Sequence, residues 1–255
     1  MTESDLLLAG LAGLAAGFLD SIVGGGGLIM TPAMLNLFPG LSILQVIGTQ
    51  RTSSIFGTSV AAWNYLKHVS VPKGALIGAS VAALLLSIGG VLLAKQIDAE
   101  ALKWVVLAMC VALGIYTAFK KSMGEQDESG DDQRRITDRA ILIGGACGFY
   151  NGLIGPGTGT LLVFGFVALI GFSFLRASAL AKVSNVAADL ASWSILAFSG
   201  FVVWKIAAVL IVGNVIGSYL GSRFAILKGS HFIRVMFLSI VVLLVGKLMW
   251  DLLRS

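Results

Sequence analysis

Long uncharged stretches alternate with short polar breaks along this chain. Ser21 to Gln50, Gly74 to Ala94 and Ala140 to Leu175 carry no charged residue at all. A bilayer core is crossed by about 20 helical residues, so these runs predict membrane helices. The pattern divides into two sets of four segments. The first set is a hairpin over Asp5–Phe38, broken at Gly24–Gly27, then crossings over Leu41–Leu66, Gly74–Ala94 and Leu102–Phe119. The second is a hairpin over Arg139–Phe174, broken at Gly155–Gly159, then crossings over Leu175–Phe198, Phe201–Ile226 and Phe232–Leu253. The expected fold class is all-α: a polytopic helical membrane protein of two repeats, each a glycine-broken hairpin plus three crossing helices.

The repeat is legible residue by residue. GFLDSIVGGGG, Gly17 to Gly27, is answered by GFYNGLIGPGT, Gly148 to Thr158, at an offset of 148 − 17 = 131 residues. At the same offset Arg51 falls on Lys182, Ser53 on Ser184 and Gly90 on Gly221. Repeated halves with interrupted helices are the pattern of a transporter whose site lies between the halves. The expected organisation is a first transmembrane repeat over 1–119, a charged cytoplasmic linker over 120–139 and a second repeat over 140–255. Lys120 to Arg139 holds eleven charges in twenty residues, which predicts a mobile surface segment.

Composition agrees with a lipid environment. Hydrophobic residues make up 57% of the 255, charged residues only 12%, and glycines number 32. Soluble domains carry roughly twice that charge, and membrane helices use small residues to bring backbones together. Gly213, Gly217 and Gly221 share one helix face, as do Gly74 and Gly78; both sets predict packing seams rather than ligand sites. Glu3 and Asp5 stand where a signal peptide would carry Lys or Arg, so the first apolar segment is expected to be retained. Trp104, Met109 and Trp250 are expected against lipid or its interface.

Charge placement predicts topology. If each hairpin returns to its starting side, the halves are inverted. Eleven Lys/Arg residues then share the face of the 120–139 segment, against four opposite. Counting each hairpin as one crossing lowers the split to nine against six. The inverted arrangement puts the central segment in the cytoplasm and both termini outside. Hairpins that span fully give the same count. The net charge of +5 has no basic stripe or aromatic platform behind it, so nucleic acid is not an expected partner.

Four charges fall at membrane depth: Asp20, Arg51, Lys182 and Asp189. Each costs at least about 2.5 kcal/mol unless paired or hydrated. Arg51 and Lys182 occupy matched positions among hydroxyl and amide side chains, including Gln50, Ser53, Ser54, Ser184 and Asn185. Asp189 lies two turns beyond Lys182 on the same face. These residues predict a positive cavity at the repeat interface that both cations face. Three other readings remain open: internal ion pairs, snorkelling of the cations to water, and glycine breaks that only allow tight crossing.

The breaks supply the second half of the site. A helix restarting after Gly24, Gly25, Gly26 and Gly27, or after Gly155, Gly157 and Thr158, exposes main-chain N–H groups that attract anions. Such groups must face a cavity or a partner in lipid. Asn151 takes the place of Asp20 in the second half. Asp20 and Asp189 are the candidates to carry a coupling ion. The glycine runs lack the Lys-Ser/Thr of a phosphate loop, and they follow helices rather than strands. His68 and His231 are read as solvated loop residues, Cys110 and Cys147 as small buried hydrophobes. No metal-ligand spacing, nucleophile–base pair or cofactor motif emerges, so an enzyme is not expected.

The motif GF-[LY]-[DN]-x-[IL]-[IV]-G in both halves, with the four-glycine break and the later basic position, resembles the TauE/SafE family of sulfite and organosulfonate exporters. The resemblance runs through essentially the whole chain and points to the bacterial inner-membrane branch. It implies secondary transport of small sulfur-containing oxyanions such as sulfite or organosulfonates across the membrane; export is the expected direction, although membership does not fix it. An anion channel at the same site, or a non-transporting subunit of a membrane complex, are the alternatives. The anion, the direction of transport, the coupling ion and the oligomeric state are left open.

Overall fold

The glycine runs interrupt helices where the pattern predicts. The computed structural model describes residues 3–94, 124–130 and 132–254, and among them it contains helices and no strand. The predicted crossing at Leu102–Phe119, with Trp104, Met109 and Cys110, lies outside the described residues. Helix α1 spans Glu3–Val23 and α2 spans Gly26–Leu37. Gly24 between them has φ +87, a left-handed conformation that glycine adopts without strain. Helices α3 (Ile43–His68) and α4 (Lys73–Ala94) complete the described first half. Helix α5 (Gln133–Leu153) and the short α6 (Thr158–Gly165) form the second hairpin, with Gly155 and Gly157 both near φ +90. A π-turn over Phe166–Ile170 extends α6. Helix α7 covers Phe174–Phe198, and α8 covers Trp204–Arg254. Gly229, at φ 76 and ψ −172, breaks α8 between the two predicted crossings.

Local signals explain the starts. Ser42 accepts from Gln45 N while Gln45 Oε1 accepts from Ser42 N, a reciprocal cap on α3. Ser173 caps α7 through Arg176 N. Asp132 caps α5 through Arg134 N and Arg135 N. Helix α5 therefore begins at Gln133, six residues before the predicted start at Arg139.

The charged segment is held down where it is described. Phe174 N donates to Gly124 O, and Glu128 N donates to Gly171 O, each at 2.7 Å. Asp127 pairs with Arg176 at 2.8 Å. Glu125 pairs with Arg234 at 2.8 Å and His231 at 3.1 Å. Hydrogen bonds from His231 and Arg234 hold the Glu125 carboxyl below its usual range. Residues 124–130 thus strap α7 to the stretch of α8 beyond Gly229, where mobility was expected. His68 and His231 are exposed, as expected, but both are helical rather than in loops, and His231 has a carboxylate partner.

Two seams organise the bundle, and they match. Helix α1 packs on α8, and α5 packs on α4. A Cβ added to Gly13 or Gly17 would strike the α8 backbone at Leu210 and Asn214. One added to Gly144 or Gly148 would strike the α4 backbone at Ala79 and Ala83. Leu210 and Asn214 are Ala79 and Ala83 moved on by 131 residues, so each contact recurs with its partners exchanged. Gly213, Gly217 and Gly221 meet the α1 backbone from Gly10 to Phe18; Gly74 and Gly78 meet Thr137 and Ile141. Both glycine sets are packing seams, as expected. In the same exchanged fashion α3 lies against α8 and α7 against α4.

Polarity is distributed as in a membrane protein. Leu7, Trp63, Leu85, Leu142 and Val212 are exposed on outward faces. Asp20, Gln50, Arg51, Asn151, Lys182 and Asp189 are buried. Three described helices, Glu3–Val23, Lys73–Leu93 and Trp204–Ser239, are long and apolar enough to cross a bilayer. Cys147 packs, partly buried, against the main apolar cluster.

Candidate functional site

The two breaks meet. Gly24 and Gly159 approach so closely that a Cβ on either would enter the backbone of the other. Only glycine permits this contact, and it brings the starts of α2 and α6 to one place. A cavity of about 50 Å³ opens beside it. One water needs about 10–15 Å³ measured this way, so the space holds a few waters or one small oxyanion.

Arg51 reaches this cavity from α3. Its Nη2 donates to Asn151 O at 2.6 Å and lies against Gly155. That is its one protein hydrogen bond among the described residues, so most of its five N–H donors are uncommitted. Asp189, on α7, also lines the cavity. Its Oδ1 accepts from Asn151 Nδ2 at 2.9 Å, and its Oδ2 accepts from Ser54 Oγ at 3.1 Å and Asn185 Nδ2 at 3.2 Å. Ser192 Oγ lies 3.2 Å from Asn151 Oδ1 and is shared with the main-chain carbonyl of Ala188 at 3.0 Å.

Asp20 faces the cavity from α1, but its carboxylate is engaged elsewhere. Oδ1 accepts from Gly26 N at 3.1 Å, capping the start of α2 across the break. Oδ2 accepts from Thr58 at 3.2 Å and pairs with Lys182 Nζ at 3.5 Å. Lys182 Nζ also donates to Asp20 O. The breaks therefore differ. The start of α2 carries an internal carboxylate, whereas Gly157, the cap residue of α6, has no side chain to offer. The helix start left without a side-chain cap is the second one.

Most of the residues singled out in the sequence converge here. Asp20, Gly24, Gly26, Gly27, Gln50, Arg51, Asn151, Gly155, Gly157, Thr158, Asn185 and Asp189 line the cavity. Gly25, Ser53, Lys182 and Ser184 do not. Lys182 is 1% exposed and stands behind Asp20, so the two cations do not both face the cavity. Ser53 Oγ donates to Gln50 O at 3.0 Å. Ser184 Oγ is buried without a partner among the described residues. Ala16, Met30, Ser54, Pro156, Gly159 and Asn214 complete the lining. Asn214 carried a signal, as a carboxamide inside the apolar glycine-rich face of α8. Met30 and Ala16 carried none, since apolar residues in apolar helices are not distinguished by type.

No solved structure matches the chain. A family model described as sulfite exporter TauE/SafE matches residues 9–248. A probable membrane transporter protein of Sinorhizobium is 34% identical over 94% of this chain and 91% of its own length. One from Haemophilus influenzae is 31% identical over 94% of this chain and 92% of its own. The probable membrane transporter protein YfcA of Escherichia coli K12 is 32% identical over 97% and 91%. Matched over nearly its whole length, the chain belongs to the TauE/SafE family and is a multi-pass transporter of the cell membrane, not an enzyme.

Proposed function

We propose that the protein is a secondary transporter that exports small sulfur-containing oxyanions, such as sulfite or organosulfonates, from a site between its two halves. The observation that carries this reading is Arg51, buried in the cavity beside the uncapped start of α6 with most of its N–H donors free. A guanidinium engages two oxygens of one anion at once. Main-chain N–H groups at a helix start add direction without adding a competing side chain. Sulfur enters through the family description and not through the geometry, which supports a small oxyanion.

The halves are arranged as inverted repeats, with the exchanged seams α1–α8 and α5–α4 as the motivation. Movement of one half against the other opens the cavity alternately to each side. Residues 120–139 lie in the cytoplasm and both termini outside. Lys182 acts indirectly, by holding Asp20 where it caps α2. One of the two carboxylates carries a coupling proton.

Purified full-length protein, melted in the presence of sulfite, sulfate, thiosulfate, taurine or sulfoacetate, tests the reading. A sulfur oxyanion should raise the melting temperature of wild type, and that rise should vanish in Arg51→Gln. No rise with any of the five, or an undiminished rise in Arg51→Gln, would sink it.

A further inference from the structure

Resting on the transporter reading above, we infer that Oδ2 of Asp189 is the atom that takes up and releases the coupling proton, while Asp20 stays an anion throughout. The two carboxylates share one region but not one chemistry. Asp20 Oδ1 accepts from a main-chain N–H, and its Oδ2 accepts from Thr58 and sits beside the Lys182 ammonium. The N–H and the ammonium can only donate, and only the Thr58 hydroxyl can turn to accept. What separates Asp20 from Asp189 is therefore the cation: a proton on Asp20 would leave Lys182 buried beside a neutral group.

Asp189 is surrounded differently. Among the described residues it has no cation within ion-pair distance, whereas Asp20 has Lys182. Its Oδ1 faces Asn151 Nδ2, which donates to it at 2.9 Å. Its Oδ2 faces Ser54 and Asn185, and both can change role. A hydroxyl rotates between donating and accepting, and a carboxamide turned over presents its oxygen. Asn185 Oδ1 is buried and has no partner among the described residues, so turning the group over breaks no bond at that atom. The shell around Oδ2 thus satisfies both forms of the carboxyl. When a proton arrives through the cavity, an O–H bond forms at Oδ2, and Asn185 or Ser54 accepts from it. Release breaks that same bond and restores both donors.

The charges that face Asp189 are Arg51 from α3 and Asp20 from α1, with Lys182 two turns away on its own helix. Helix α4 presents Ser87, bonded to Ala188 O. Helix α5 presents Asn151, while the Tyr150 hydroxyl turns to Pro156 O. Helices α6 and α8 contribute Thr158 and Asn214 to the cavity, neither of which titrates. In the ionised state Asp20, Asp189, Arg51 and Lys182 sum to zero. Protonation leaves them at +1, which favours an anion beside Arg51. By linkage, a bound anion favours the proton equally.

Infrared spectroscopy of the full-length protein in lipid, titrated from about pH 9 to about pH 4, reads the proton directly and needs no substrate. Exposed carboxylates protonate alike in every variant and cancel in difference spectra, so wild type minus Asp189→Asn should leave a protonated-carboxyl band and wild type minus Asp20→Asn should leave none. Ser54→Ala should fold and shift that band in frequency, because a partner of Oδ2 is lost. This second variant covers a failure of Asp189→Asn to fold. No band in the first difference, a band in the second alone, or a band unmoved by Ser54→Ala, would overturn the assignment. A separate arm measures binding of methanesulfonate, which stays ionised across this range. Affinity should rise about fivefold or more from about pH 8 to about pH 5, the lower end of ordinary coupling, and stay flat in Asp189→Asn. The expected infrared pattern with no methanesulfonate binding would count against the sulfonate reading alone. Binding without the infrared pattern would count against Asp189 alone.

Discussion

Arg51 donates from Nη2 to the main-chain carbonyl of Asn151, 2.6 Å away and 100 residues along the chain. Its counterpart 131 residues on, Lys182, donates to the carbonyl of Asp20, itself the counterpart of Asn151. Each half thus pins the end of the other half's first hairpin helix with a cation. The carboxylates break the symmetry. In the first half the pair is Asp20 with Thr58, and in the second it is Asn151 with Asp189, so acid and neutral partner have changed places. That exchange leaves one cation paired and buried behind its acid, and the other free to face the cavity.

Arg51 and Lys182 should therefore respond differently to conservative exchange. Arg51→Lys keeps the charge but loses the fork, and anion affinity should fall roughly tenfold or more, the value of one hydrogen bond to a charged group. Lys182→Met should instead lower the melting temperature, because Asp20 would be left buried without its cation. Equal loss of affinity in Arg51→Lys and Lys182→Arg, at unchanged melting temperature, would return Lys182 to the binding site.

The break glycines should separate into structural and lining positions. Gly24→Ala should abolish folding, since its Cβ would enter the Gly159 backbone and its φ is +87. At Gly27 the nearest atom to an added Cβ is Pro156 Cα at 3.4 Å, an ordinary contact. Gly27→Val should insert and fold, and lose anion binding by filling the cavity. Wild-type binding by folded Gly27→Val would place the ligand elsewhere.

The seams should be intolerant of a single methyl. Gly17→Ala and Gly148→Ala each force helices apart, at about 1–3 kcal/mol for overpacking. Gly40→Ala meets nothing within 4 Å and should melt like wild type. Similar melting of all three in the same detergent would show that the seams are loose.

Acid should release the strap over α7 and α8. Burial works against the ionised Asp127, but hydrogen bonds from Ser129 and Arg176 outweigh it and hold the carboxyl below its ordinary value of 3.8. A lowered folded pKa contributes stability that is full above the ordinary value and fades as pH falls through the folded one. Hydrogen exchange at Glu128 N should therefore speed up below pH 3.8 relative to that at α3 amides. Asp127→Asn should show the faster exchange at neutral pH already. Exchange independent of both pH and the substitution would leave the strap held by its main-chain bonds.

Topology has its own readout. A cysteine introduced at Ser129, in an otherwise cysteine-free background, should label only from the cytoplasmic side of intact cells. Labelling from outside would reverse the proposed orientation.

Much of this protein was determined by its sequence alone. Lipid has no water to satisfy main-chain groups, so apolar runs of membrane length must be helices, and glycine clusters must interrupt them. Those local rules placed α1 to α4 and α7 within a few residues. The 131-residue offset then paired Arg51 with Lys182. Local rules missed the early start of α5, because the Asp132 cap sits inside a charged run that otherwise reads as solvated. Tertiary structure alone decided which cation faces the cavity. Two cations at matched positions look equivalent along the chain, and the difference depends on where Asp20 and Asp189 come to rest across helices. It also decided that the strap is docked, because Glu125 and Asp127 find Arg234 and Arg176 only once distant helices are packed together. Sequence patterns report the chain's own periodicity and solvent, whereas contacts between residues 100 or more apart depend on how the seams close.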